Sequence, residues 1–192
     1  MPVAQILVVC TGNICRSPYV ERTLQNVADA AWSSGEIVVT SAGSAALVGE
    51  GMDAGSRSRL EERGMDADGF VARQIDADMV RAADLILTAE RAHRGAATRL
   101  HPRALRYTFA IADFADLASG IPDGAWPVRE GDPVAWINGV VAAAAAQRSV
   151  RTPLPADQAD ILDPYQKGPR AFDRMAAQVD AMLPALSRAL GA

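Results

Sequence analysis

The residues with the most chemical promise sit together near the start of the chain. Residues 10 to 18 read Cys-Thr-Gly-Asn-Ile-Cys-Arg-Ser-Pro, so Cys10 is followed six positions later by Arg16 and then by Ser17. A short loop running from a strand into a helix can turn successive backbone N–H groups inward. With the positive helix end it then forms a nest for a tetrahedral dianion. Gly12 and Asn13 suit that loop because both tolerate left-handed backbone conformations. A cysteine at the entrance sees the same inward N–H groups, which favour its thiolate and make Cys10 a nucleophile. Arg16 offers a planar fork that matches two equatorial phosphoryl oxygens. Ser17 is placed to donate a hydrogen bond to a departing thiolate. Taken one at a time, these residues have plainer uses: a strand-end cysteine, a surface charge and a helix cap.

A second cluster, Asp163-Pro164-Tyr165, lies far along the chain. Alone it reads as an Asp-Pro turn. Paired with Cys10, Asp163 becomes a candidate general acid, provided that its loop folds over the nest.

The elements needed to hold these residues are legible in part. Ile6-Leu7-Val8-Val9 is a continuous apolar run, as expected for a strand buried on both faces of a parallel sheet. Ser17-Pro18 reads as an N-cap followed by proline at the first helical position, with Val20, Leu24, Val27, Ala28 and Ala31 as the apolar stripe. Ile37-Val38-Val39 and Leu85-Ile86-Leu87 read as further strands, and residues 55 to 63 as a polar helix ended by Gly64. Phe172, Met175, Ala176, Val179, Met182, Leu183 and Leu186 form a long amphipathic stripe that Pro184 is expected to bend. The alternation predicts an α/β fold. In such a sheet, sites lie at the carboxyl ends of strands, where Cys10 stands.

The whole chain narrows the possibilities. Its 192 residues, 49% of them apolar, predict one domain with one large core. A net charge of -4 gives no broad attraction for nucleic acid or an anionic membrane. Neither a signal sequence nor a bilayer-spanning segment is read, and residues 141–146 look like part of a soluble helix, so the expected setting is the cytoplasm. Two cysteines exclude a disulfide framework and are too few for a structural zinc site. His93 and His101 lack ligand-like spacing and read as solvated or helix-terminal. No metal and no cofactor is expected.

The run from Val9 to Pro18 resembles the signature of the low-molecular-weight protein tyrosine phosphatase family, bacterial type. Ser41-Ala42-Gly43-Ser44 is similar to its Ser-Ala-Gly-Thr segment. Ala72-Arg73-Gln74 and Asp84-Leu85-Ile86-Leu87 are similar to its middle portion, and Asp163-Pro164-Tyr165 to its late acid loop. The resemblance covers most of the chain apart from about 119–157, which reads as an insertion. It implies a three-layer domain with a four-stranded parallel sheet flanked by helices, and phosphomonoester hydrolysis through phosphocysteine. Cys10, Arg16 and Asp163 would be catalytic. Thr11, Gly12, Asn13, Ile14, Cys15, Arg16 and Ser17 would bind phosphate. Asn13 and Ser41 would brace the loop, and Leu47 and Tyr165 would line the pocket. Cys15 would form a protective disulfide with Cys10. The implied partner is a phosphotyrosine protein or peptide, with a bacterial tyrosine kinase among the candidates, and inorganic phosphate is the product.

Three features qualify this picture. Phe70 stands where many relatives carry histidine, which puts the bracing network in question. Thr11 inside the nest raises phosphoarginine as an alternative substrate. The 119–157 segment, with Trp126 and Trp136, is read as a partial lid or, more plainly, as a peripheral packed helix. Two rival functions remain: an arsenate reductase of the same fold, which usually needs further cysteines, and a non-catalytic phosphotyrosine-binding module, which would typically lose one of the three key residues.

Overall fold

The computed structural model describes residues 2–192. Four parallel strands, β1 (Ala4–Cys10), β2 (Ile37–Gly43), β3 (Leu85–Thr88) and β4 (Thr108–Ala110), form one sheet in the order β2-β1-β3-β4. β1 is therefore central. Its side chains alternate between two apolar layers: Ile6, Val8 and Cys10 enter the larger core, and Leu7 and Val9 enter a smaller one. Each such apolar side chain, once buried, stabilises the fold by about 1.5–3 kcal/mol. This is why the run Ile6–Val9 lacks the polar alternation of a one-sided strand.

The larger core lies under α1 (Arg16–Ala31), α5 (Ile111–Ser119), α6 (Pro133–Gln147) and α7 (Pro169–Ala189). The smaller core includes Val80 of α3 (Ala77–Ala82) and Ala97 of α4 (Arg94–Leu100). Between β2 and α3, α2 (Ala54–Glu61) packs on α1 and α7. Gly64 ends that polar helix with φ 68°, as its sequence position suggested. α7 runs through Pro184 without a break in the helix.

Two expectations change. Ser17 is not a cap: α1 already begins at Arg16, and the Ser17 side chain is fully buried inside its first turn. Pro18 is tolerated as the third helical residue because the first-turn N–H groups lack intrahelical acceptors anyway. The lid reading of the tryptophans also fails. Within residues 119–157, α6 is capped by Asp132, whose carboxylate accepts from the Val134 and Ala135 amides, and it buries Trp136, Ile137 and Val140 in the main core.

Trp136 lies between Trp126 (6.3 Å, stacked) and Trp32 (6.4 Å), and its indole N–H donates to the Ala189 carbonyl at 2.9 Å. Trp32 follows the last turn of α1, whereas Cys10 precedes the first. Sixteen residues of helix separate the two ends by about 24 Å. These tryptophans close the pole of the molecule opposite the cysteine loop.

Candidate active site

The carboxyl end of β1 delivers Cys10 into a tight loop whose carbonyls are drawn outward by neighbouring donors. Amides of Ser44, Ala45 and Leu47 donate to the carbonyls of Cys10, Thr11 and Gly12 at 2.8, 3.0 and 3.0 Å. The Asp53 amide donates to Ile14 at 2.8 Å, and the Ser56 hydroxyl to Cys15 at 3.0 Å. With those carbonyls held outside, the peptide N–H groups face the centre of the loop. Among the described residues, the amides of Gly12, Ile14 and Cys15 have no hydrogen-bond partner within the protein. Asn13 adopts φ 56°, the left-handed conformation its residue type permits.

The 44–47 turn reaches the loop only because β2 ends in glycine. A Cβ at Gly43 would stand 2.4 Å from the Thr11 carbonyl oxygen and 2.9 Å from Ala46.

The Cys10 sulfur lies 2.9 Å from the Ser17 hydroxyl and receives the Asn13 amide at 3.3 Å. The direction of the first contact follows from its neighbours. The Asn13 side-chain amide donates to both the Ser17 and Ser41 hydroxyl oxygens at 2.8 Å, and Ser41 donates to Glu21 at 2.6 Å. Ser17 is thereby left free to donate to sulfur, which suits a thiolate. The Arg73 backbone amide donates to the Asn13 side-chain oxygen Oδ1 at 2.9 Å, and the Arg73 guanidinium to the Ser41 backbone carbonyl at 2.8 Å. The bracing network is thus assembled with Phe70 in place; Phe70 packs against the core.

Arg16 is 2% exposed and held between two carboxylates. One of its terminal nitrogens contacts Glu90, and the other lies 3.0 Å from Asp163. The Asp163 loop is fixed from the strand side: the Ile161 amide donates to the Ala89 carbonyl at 2.8 Å, and the Arg91 amide to the Asp160 carboxylate at 2.8 Å. The late acid loop therefore does fold over the cysteine loop. Together they enclose a cleft of about 190 Å³, lined by Cys10, Arg16, Leu47, Asp163 and Tyr165. Leu47 and Tyr165, at 42% and 43% exposure, form its open rim.

Cys15 is buried beneath the loop. Burial, with Asp53 next in effect, pushes its thiol well above the ordinary cysteine range, so it stands protonated. Burial likewise raises the Glu21 carboxyl, against the opposing hydrogen bond from Ser41.

His93 departs from its expected solvated role. It is buried, its Nε2 lies 2.8 Å from the Thr11 hydroxyl, and desolvation lowers its pKa so that it is neutral at pH 7. Glu90 and Glu21 join the site without having been picked out in the sequence, Arg73 was named there only as part of a matching segment, and His93 was read as solvated or helix-terminal. For Glu90 and Arg73 the available signal was position: one follows the carboxyl end of a buried strand, and the other sits in the Ala-Arg-Gln segment.

A family model described as low molecular weight phosphotyrosine protein phosphatase matches residues 5–130, well over half of the chain. The chain belongs to that family. Among curated relatives, the low molecular weight protein-tyrosine-phosphatase Wzb of Escherichia coli K12 is 48% identical over 88 residues, covering 46% of this chain and 56% of the relative. This aligned part thus spans little more than half of that relative's length. Wzb of Salmonella typhi is 38% identical over 119 residues, covering 62% of this chain and 75% of the relative.

The fold agrees with the family's solved structures. The Erwinia amylovora tyrosine phosphatase AmsI superposes with a TM-score of 0.69 at 28% identity, covering 99% of this chain and 95% of its own. Vibrio vulnificus Wzb in complex with benzylphosphonate gives 0.67 at 27% identity, covering 97% and 98%. The four-stranded parallel sheet flanked by helices is the family's architecture. No helix among the described residues is long and apolar enough to cross a membrane.

Proposed function

We propose that this protein hydrolyses phosphotyrosine in proteins or peptides through a phosphocysteine intermediate. The observation that carries this reading is the convergence of three groups on one cleft: the Cys10 sulfur beside the Ser17 hydroxyl, the unpartnered loop amides, and Arg16 in contact with Asp163.

In the first step the Cys10 thiolate attacks phosphorus in line, while loop amides and the Arg16 guanidinium take the equatorial oxygens. The P–O bond to the tyrosyl oxygen breaks, and Asp163 delivers its proton to that oxygen. Phosphocysteine and a neutral tyrosine side chain result. In the second step the Asp163 carboxylate takes a proton from water as its oxygen attacks phosphorus. The S–P bond breaks, Ser17 donates its hydrogen bond to the departing thiolate, and inorganic phosphate leaves.

Leu47 and Tyr165 supply apolar and aromatic walls at the rim, which suits an aryl leaving group better than the short alkyl arm of phosphoserine. Two free cysteines, one of them the nucleophile, suit a reducing cytoplasmic setting. A bacterial tyrosine kinase is the finer candidate for the phosphorylated partner, by analogy with the family resemblance alone.

Hydrolysis of para-nitrophenyl phosphate and of matched phosphotyrosyl, phosphoseryl and phosphoarginyl peptides tests this. Turnover of the aryl ester and the phosphotyrosyl peptide, with the phosphoseryl and phosphoarginyl peptides poor, is expected. Preferential hydrolysis of the phosphoarginyl peptide, or arsenate-dependent thiol oxidation in place of hydrolysis, would replace the reading.

A further inference from the structure

Beyond the cysteine loop, the carboxyl edge of the sheet holds a second and larger hollow. It measures about 300 Å³, within the range of small-molecule sites, and shares no lining residue with the catalytic cleft. Phe109, Ala110 and Leu117 form its apolar floor, and residues 151–154 close one side.

Four arginines line it, and they fall into two kinds. Arg91 is neutralised by Asp113, at 2.6 and 2.8 Å, and Arg151 by Asp116. Arg94 and Arg148 have no carboxylate partner among the described residues. The Arg94 Nε is buried and makes no hydrogen bond. The Arg148 guanidinium lies over the Phe109 ring, 4.2 Å from its centroid, with an open side toward the hollow.

Two unpaired cations in one hollow are out of keeping with a chain of net charge -4. Like charges lining one hollow repel, and a buried donor without an acceptor is costly. Burial, and then the charge of Arg94, indeed draws Arg148 below the ordinary arginine range. One anionic group between the two guanidiniums relieves both costs, while the apolar floor accepts a hydrocarbon body.

We infer that this hollow binds a small organic anion, its phosphate or carboxylate head between Arg94 and Arg148 and its apolar part on Phe109 and Leu117. Arg94, Phe109 and Leu117 lie within the residues matched by the family model, whereas Arg148, Arg151 and the 152–154 wall lie beyond them, so the hollow is completed by the unmatched segment. Its concave shape and apolar floor favour a small molecule over an acidic protein segment, which would lie along an open ridge.

Titration calorimetry of the full chain with 2-naphthalenesulfonate and with 2-naphthoate tests the inference, in phosphate-free buffer and beside a para-nitrophenyl phosphate assay in which a probe seated in the catalytic loop would show itself as a competitive inhibitor. One molar equivalent of either probe should bind. Arg148→Met, at an exposed position, and Arg94→Met should each weaken binding at least tenfold while para-nitrophenyl phosphate hydrolysis and the circular dichroism spectrum stay unchanged. Binding of only one probe supports the site and identifies its head group as tetrahedral or planar. Absence of binding by both, equal affinity in the Arg148→Met variant, or equal affinity for neutral 2-naphthol overturns it. Arg148-dependent binding of a hexaglutamate peptide without either naphthalene probe also overturns it, in favour of a protein-docking surface.

Discussion

Asp163 and Arg16 are paired across the cleft, Oδ2 to Nη2 at 3.0 Å, so the candidate acid rests on the guanidinium that is to receive the phosphoryl group. An arriving dianion must take over that guanidinium, and Asp163 must turn from Arg16 toward the leaving oxygen. The pair also keeps the acid loop folded over the cysteine loop.

It follows that Asp163→Asn should do two opposite things. Without a competing carboxylate, Arg16 should bind inorganic phosphate severalfold more tightly. Without a proton to deliver, kcat for para-nitrophenyl phosphate should fall about 10²–10⁴-fold. Competitive inhibition constants and steady-state rates measure the two effects. A fall in kcat with weaker phosphate binding would mean that Asp163 mainly supports the loop.

Gly43 tests the claim that outward-held carbonyls shape the nest. A methyl group there would stand 2.4 Å from the Thr11 carbonyl oxygen, so backbone must move. Gly43→Ala should lower kcat/KM at least tenfold and cost about 1–3 kcal/mol of stability, read by urea unfolding. Full activity in this variant would show that the 44–47 turn is not needed to hold the loop.

Glu21 carries a pH dependence whose sign is fixed by its burial. Its carboxyl is raised in the folded protein, so the folded state holds a proton that the unfolded state has already lost. Its contribution to stability is fully present below the unfolded value near 4.3 and is lost as pH rises through the raised folded value. Glu21→Gln keeps an acceptor for Ser41 and removes this loss. The stability gain of the variant over the native protein should therefore grow with pH across that window, followed by urea unfolding. A gain that shrinks as pH rises would contradict the assignment.

Cys15 should protect Cys10 during oxidation. Peroxide converts the Cys10 thiolate to a sulfenic acid, which the buried Cys15 thiol can condense with, releasing water and leaving a disulfide. Native protein should recover activity on thiol treatment, and Cys15→Ala should progressively fail to do so. Equal recovery in both would remove the protective role.

What was legible in the sequence was local. The loop from Cys10 to Arg16 is contiguous, and its strand and helix are marked by an apolar run and a helical stripe, so the nest could be read from spacing alone. The Ser17 hydroxyl lies 2.9 Å from the Cys10 sulfur, but its place as a cap was misread, because Ser-Pro is also an ordinary helix-start pattern. Glu90 was marked only by its place after a strand end, and His93 was not marked at all. They reach Arg16 and Thr11 across 74 and 82 residues, and nothing in Ala-Glu-Arg-Ala-His marks which side chain turns inward.

β4 is only three residues long, too short to show a period, and its number in the sheet came from the family resemblance. The tryptophans of the 119–157 segment were ambiguous for another reason. An aromatic beside turn-rich sequence fits a pocket wall or a core equally well, and only the packing of α6 against α5, β1 and β3 decides.

The most direct test of the account is to look for the covalent intermediate itself. Asp163→Asn, mixed with para-nitrophenyl phosphate, quenched in acid and digested, should yield the Cys10 peptide heavier by one phosphoryl group, because the water-activating carboxylate is gone. Cys10→Ser should not turn over. Phosphate found on another residue, or substrate hydrolysis that persists in Cys10→Ser, would contradict the assignment of Cys10 as the nucleophile.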